Sequence, residues 1–293
     1  MARDRFLGIL RCLYFSHVTQ SNTNNTQPST TRQAPCSFTE KIDEIVFYFN
    51  NKMAQIYYSN QELSIDESMF LWRGRLRFHQ YFKGKRHKFE VKLYSLNEPD
   101  GLTSKFKIYA GAGDETVGLG HTEMVVMLLL NRLLNNGHSV FMNNYYNSFS
   151  LASKLLHMNT YCTGTLRRNR KCNPKETENA KLKKGETTGK YAEGVLIGKW
   201  RDKRDVMYIL TEFENYMVTI DNKFGQQLQK PLPIVQYNAN MKGTDRQDQM
   251  MSYYPLERKT LRWYKNIFMH IIHMCLRNSY MLYNMHRTNN GLK

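Results

Sequence analysis

Along residues 3–15 the apolar side chains Phe6, Ile9, Leu10 and Leu13 return at helical spacing, which predicts a short amphipathic helix. Residues 21–35 are rich in Ser, Thr, Asn and Gln with almost no apolar content, and they read as a flexible connector. Ser37 and Glu40 form a Ser-x-x-Glu capping pattern. The helix it opens carries Ile42, Ile45, Phe49, Met53 and Ile56 on one face and should end near Tyr58. The period then changes to two. Residues 62–66 (ELSID) predict a short strand, and residues 87–96 alternate Phe89, Val91 and Leu93 as a half-buried strand does. After the Pro99-Asp100-Gly101 turn, residues 105–110 (KFKIYA) alternate again. The three segments are expected to form an antiparallel meander.

A helix over residues 115–134, a buried strand over 138–142 (HSVFM), a helix over 148–156 and a strand over 161–166 follow. Residues 167–190 break the pattern: they are Lys/Arg-rich, poor in apolar side chains, and read as an exposed excursion or insertion. Strands resume at 191–200, 206–211 and 216–220, Pro231 and Pro233 mark a loop, and helices over 242–254 and 260–283 close the chain. Strands interleaved with helices make an α/β order.

Composition narrows the function. Of 293 residues, 41% are hydrophobic and 13% aromatic, enough for a sizeable core. Lys and Arg number 42 against 25 Asp and Glu, a net charge of +17. That exceeds the roughly 2–8 units that keep a small domain soluble. It points to a polyanion, nucleic acid first and an acidic membrane surface second. The longest apolar run, residues 124–130, is far short of the roughly 20 residues of a membrane span, and the charged N-terminus does not read as a signal peptide. Cys12, Cys36, Cys162, Cys172 and Cys275 are odd in number, widely spaced and without a CxxC pair. They argue against a disulfide scaffold or zinc finger and fit a reducing compartment.

The acidic residues suggest chemistry. Metal-dependent phosphoryl transfer needs carboxylates from distant segments that converge on hard cations. Asp66 qualifies as the end of a short apolar strand. Asp245 and Asp248 lie three apart, on one face if their segment is helical. On pattern alone this is a weak signal. The stretch SIDESMFLWRGR (residues 64–75), with Phe78-His79-Gln80-Tyr81 and Lys85, His87, Lys88, Val91, Lys92 and Leu93 after it, resembles the first catalytic block of piggyBac-type transposases. FMNNYYNSFSLA (141–152) resembles the second block, and YCTGTLRRNRK (161–171) follows it as in that family. KGTDRQDQM (242–250) resembles the third, extended by Arg258-Lys259-Thr260 and Arg262-Trp263. The resemblance runs from about residue 3 to residue 283.

It implies a ribonuclease-H-like core, a mixed sheet flanked by helices, with an inserted basic, β-rich subdomain and helical flanks. The expected division is an N-terminal helical region over 1–60 with its polar linker at 21–35, a first part of the core over 61–166, an insertion with connecting strands over 167–235, and C-terminal core helices over 236–293. It also implies cut-and-paste DNA transposition at TTAA targets with three catalytic aspartates and Mg²⁺ or Mn²⁺. Asp66 matches the first aspartate, Asp245 the third and Asp248 the additional acidic residue of the third block. The second position is Asn143, so the triad reads Asp66, Asn143, Asp245, and the expected metal ligands are Asp66, Asp245 and Asp248. An amide brings no negative charge to the cations, and losing one ligand costs on the order of 10³-fold in rate. Asn144 is also an amide, and nothing in the sequence brings Asp114 or Glu115 to the site. Arg86 and Glu90 replace a proline and a glycine common in the family.

Three basic clusters flank these blocks: Arg73, Arg75 and Arg77; Lys83, Lys85, Arg86, His87 and Lys88; and Arg167, Arg168, Arg170 and Lys171. The DNA-contacting residues expected from them are Arg73, Arg75, Lys83, Lys85, Arg86, Lys88, Arg167, Arg168, Arg170 and Lys171. Residues 167–171 also suit a nuclear-import signal, giving a nuclear location. Tyr145-Tyr146, Tyr253-Tyr254 and Trp263 are expected in the core rather than stacked on bases, and His270 and His273, one helical turn apart, as packing or surface. The favoured reading is a transposase-derived, DNA-binding domain whose catalysis Asn143 impairs and whose metal is weakly bound or lost. Its partners are double-stranded DNA (transposon ends and TTAA targets) and a second copy of itself, with no membrane. An active transposase and a domesticated, non-catalytic chromatin-binding protein are the alternatives.

Overall fold

The computed structural model describes residues 1–15, 38–72, 74–81, 89–118, 120–221, 224–256 and 260–291. The polar connector at 21–35, Ser37 of the capping pattern, and Arg73, Lys83, Lys85, Arg86 and Lys88 lie outside the described residues. Helix α1 (Arg3–Cys12) is followed by α2 (Glu40–Ile56), whose N-cap is Thr39. The alternating segments then become β1 (Glu62–Leu71), β3 (Phe89–Asn97) and β4 (Thr103–Ile108), with the short β2 (Gln80–Tyr81) on the same edge of β3 as β4. All these pairings are antiparallel, as the meander requires. After α3 (His121–Leu130), β5 (Ser139–Met142) lies parallel to β1, and after α4 (Phe149–His157), β6 (Tyr161–Thr165) lies parallel to β5. The Ser148 hydroxyl caps α4 by accepting the Leu151 N–H at 3.2 Å. Antiparallel β4-β3-β1 continued by parallel β5-β6 forms the ribonuclease-H-like core.

The Lys/Arg-rich excursion returns to this sheet. It holds α5 (Lys175–Asn179) and β7 (Thr187–Ala192), which pairs with β8 (Val195–Arg201); β8 pairs with β9 (Asp205–Leu210), and β9 joins β6. Nine described strands thus share one sheet, in the order β2-β3-β1-β5-β6-β9-β8-β7 with β4 also on β3. Lys199, 3% exposed, fastens the excursion by donating to Glu178 O at 3.1 Å and Ala180 O at 2.7 Å while pairing with Asp205 at 3.1 Å. A hairpin of β10 (Met217–Asp221) and β11 (Gln227–Pro231) leads to α6 (Leu232–Asn240), α7 (Gly243–Tyr253) and α8 (Trp263–Asn289).

Alternation along the strands sends side chains to two cores. Leu63, Ile65, Tyr94 and Leu96 pack with α3 and α4 on one face. Phe70, Val91, Leu93 and Phe106 pack with α2 and α8 on the other, against Ile267, Ile271 and Met274.

Several expectations need correction. The first strand runs on to Leu71, so Asp66 lies in its middle; Asp66 and Ser68 look like a strand end in sequence because they face a polar helix. Strand 191–200 is two strands, broken at Glu193-Gly194, both with positive φ. Pro231 and Pro233 open a helix rather than mark a loop, since a proline at a first-turn position sacrifices no helical hydrogen bond. Helix α3 begins at His121, later than residue 115, because Thr116 and Asp114 form a tight turn with Thr116 N donating to Asp114 Oδ1 at 2.9 Å.

Candidate functional site

The third block approaches the first through a glycine. A Cβ on Gly243 would collide with Glu98 O and Ser64 Oγ, so only glycine lets α7 lie this close to β1 and β3. The Asn97 carboxamide meets Thr244 Oγ1 at 2.9 Å and the Gln247 carboxamide at 3.0 Å, fixing the helix against the sheet. Strand period two and helix spacing three then match. Asp66 faces Asp245, and two residues along the same strand face Ser68 donates to Asp248 Oδ1 at 2.7 Å. Asp248 is therefore held at Ser68, one step from Asp66.

The second block arrives from β5. Ile65 pairs with Met142, so Asn143 emerges beside Asp66. Asn147 Nδ2 holds the turn after β5 by donating to Met142 O at 2.8 Å and Thr165 O at 2.9 Å, a close approach for which Gly164 leaves room. Asn143 Nδ2 donates to Asp66 Oδ1 at 2.7 Å, and Asn143 Oδ1 accepts the Tyr145 N–H at 2.8 Å. The same Asp66 oxygen accepts the Glu67 N–H at 2.9 Å. Asp66, Asn143 and Asp245 thus come together; Asp245 is exposed and Asp66 is mostly buried.

Burial pushes the Asp66 carboxyl up to about 7 from 3.8, and the neighbouring Glu67 carboxyl and Asp245 charge add to the rise. At Glu67 burial favours the neutral form, but the Lys92 ammonium, 3.2 Å away, and a hydrogen bond with the Asp66 carboxyl prevail and hold it below the usual carboxylate range. Burial, opposed by a hydrogen bond with Thr165 and joined by the charges of Asp66 and Asp245, raises the Tyr237 phenol. Glu67, Lys92 and Tyr237 are neighbours that the sequence reading missed. Adjacency to Asp66 would have drawn Glu67 into view, and Pro at the start of α6 would have placed Tyr237 on a helix.

A raised carboxyl has a definite consequence. Below about pH 4 Asp66 is protonated in both folded and unfolded chains. Between about pH 4 and 7 the unfolded chain releases its proton first, so this contribution to stability is lost as pH rises. Asp66→Asn, which keeps an acceptor for Asn143, is expected to stabilise the protein by up to about 4 kcal/mol at pH 8 and by nothing near pH 4. Thermal melts of both variants across that range check it.

The residues do not fit a divalent ion as they stand. The inward Asp66 oxygen is occupied by two N–H donors, the Asn143 oxygen by a third, and among the described residues no three His, Cys, Asp or Glu side chains converge tightly enough to hold a metal.

Of the basic residues expected to touch DNA, Arg75, Arg167, Arg168 and Lys171 are exposed. Arg168 pairs with Glu178 at 3.6 Å. Arg170 is different: it is half-buried, donating to Tyr145 O at 2.6 Å and Asn144 O at 3.4 Å, so it braces the Asn143 turn. Tyr146 is fully buried, whereas Tyr145 is half-exposed with Lys92 at 4.5 Å and Arg167 at 5.5 Å from its ring centroid. Tyr253 and Tyr254 are exposed, at 61% and 78%, not core as the sequence suggested, because α7 turns that end away from the sheet. Trp263 packs edge-on to Phe78, as expected of a core residue. His270 stacks edge-on to Phe70.

The family model described as Transposase IS4 matches residues 1–280. PiggyBac transposable element-derived protein 3 of Homo sapiens is 24% identical over 302 aligned positions, which cover 97% of this chain and 48% of that protein. PiggyBac transposable element-derived protein 2 of Homo sapiens is 23% identical over 301, covering 96% and 48%. The cryo-EM structure of a piggyBac transposase synaptic complex with hairpin DNA matches with a TM-score of 0.85 at 24% identity, covering 100% of this chain and 59% of that one. The chain spans about half the length of these curated relatives.

Proposed function

The chain belongs to the transposase IS4 family and is of the piggyBac type, and from that premise we propose that it is a DNA-binding domain whose inherited strand-cleaving centre is closed by Asn143. DDE-type transposases generally use divalent metal. One observation carries the proposal: the amide at the second catalytic position donates to the first aspartate at 2.7 Å. A hydrogen bond replaces what would be a cation shared between two carboxylates. The partner is duplex DNA, drawn by a net charge of +17 and by the exposed cations Arg75, Arg167 and Lys171. Element ends and TTAA targets are the sequences it descends from recognising, a second copy of the chain is its protein partner, and the nucleus is where it acts. Mg²⁺ or Mn²⁺ is held weakly or not at all.

Retained activity is the second reading, because Asp66 and Asp245 still face one another and a single substitution separates the site from three aspartates. The two readings part in the nicking of a labelled duplex in Mn²⁺, which retained activity requires and a closed centre forbids; a parallel titration in EDTA, followed by fluorescence anisotropy, tests the DNA-binding claim itself. Affinity unchanged by removing metal supports the proposal. Binding that requires Mg²⁺ or Mn²⁺ contradicts it.

A further inference from the structure

A second concave site lies where α2 and α3 meet the β4 edge of the sheet, and none of the residues around Asp66 lines it. It is a cavity of about 320 Å³, the lower end of the range for small-molecule sites. Its lining contains Lys105 and Arg132 and no carboxylate. Glu98, which holds the Tyr57 hydroxyl at its rim, is already engaged by Asn60 N at 2.8 Å and Asn60 Nδ2 at 2.9 Å.

The cations are placed but not neutralised. Lys105 Nζ donates to Leu128 O at 2.5 Å and Asn131 Oδ1 at 2.9 Å, which uses two of the three N–H donors of an ammonium. Arg132 Nη2 donates to Asn51 Oδ1 at 3.0 Å and leaves the rest of its planar fork without an acidic partner among the described residues. Burial and the neighbouring Arg132 charge pull the Lys105 ammonium down to about 8. Two like charges held together in a cavity are a cost that a bound anion removes. Ser59 Oγ and Ser104 Oγ, 2.7 Å apart, add hydroxyls to the same wall. So many donors suit an anion with several acceptor oxygens better than a carboxylate with two.

We propose that this cavity binds the phosphate group of a small molecule, with Lys105 and Arg132 as its cationic ligands. The site is separate from the DNA-binding reading and does not depend on it.

The test compares the unaltered chain with Arg132→Ala and Lys105→Gln by thermal shift and calorimetry. The probes are inorganic phosphate and 5′-AMP, against sodium chloride at matched ionic strength. Arg132 is exposed, so its variant should fold normally; Lys105 also caps α3, so its variant is read only for ligand response. The unaltered chain should be stabilised by at least one phosphate probe beyond the chloride control. Arg132→Ala should weaken that binding about tenfold, as expected for losing one charge-assisted contact. A response to phosphate alone identifies the free anion, and a response to 5′-AMP alone identifies a phosphate on an organic body. No shift beyond chloride, or an equal shift in Arg132→Ala, overturns the proposal.

Discussion

Asn143→Asp is expected to lower the melting temperature of the metal-free protein by several degrees at pH 8 and to make it respond to Mn²⁺. The amide nitrogen now sits 2.7 Å from Asp66 Oδ1. A second carboxylate in its place would face a group that burial already pushes up to about 7, with Asp245 beside it. Crowded carboxylates repel, and a cost of about 2 kcal/mol corresponds to roughly 3–4 °C in a chain of this size. The same repulsion is what a divalent cation relieves. At a hundredfold excess over its dissociation constant, Mn²⁺ should return about 2.7 kcal/mol to Asn143→Asp and nothing measurable to the unaltered chain. Cleavage of a DNA end substrate should rise by about 10³-fold or more over a near-zero background. Unchanged metal-free stability together with no Mn²⁺ response would show that Asp66 and Asn143 do not share a site.

Binding to duplex DNA should collapse with salt. A protein that makes 6–10 phosphate contacts loses about 10³–10⁵ in affinity between 50 and 200 mM salt, because each contact releases condensed counterions. With a net charge of +17, this chain should fall in that range. Arg75→Ala, Arg167→Ala and Lys171→Ala should each reduce the salt slope by about one unit while the fold is unaffected, since all three side chains are exposed. Arg170→Ala should behave otherwise. Its guanidinium braces the carbonyls of Asn144 and Tyr145, so the loss should appear as a lower melting temperature before it appears in the slope. A flat salt dependence, or preference for anionic lipid vesicles over DNA, would remove nucleic acid as the partner.

The meeting of Asp66, Asn143 and Asp245 was legible because three separated blocks kept their order and their spacing. The antiparallel meander was legible too, since Phe89, Val91 and Leu93 alternate cleanly on a half-buried strand. What stayed hidden shares a cause: polar residues serving contacts made far along the chain. Ser68 extends β1 because Asp248 waits on α7, 180 positions away. Lys199 is buried in a strand because it ties down the carbonyls at the end of α5. Asp248 looked equivalent to Asp245 by helix spacing, yet the strand opposite offers a hydroxyl to one and a carboxylate to the other. Glu67 escaped notice because its partner Lys92 comes from the neighbouring strand, a pairing that no local pattern announces.

The most direct measurement incubates the unaltered chain with a labelled duplex carrying a transposon end and a TTAA site, in EDTA and in Mn²⁺, and reads complex formation and strand nicking from the same samples. Equal complex in both conditions with no nicking is the predicted result. Nicking that appears with Mn²⁺ in the unaltered chain, or complex that forms only with the metal, would contradict a DNA-binding domain whose cleavage centre Asn143 has closed.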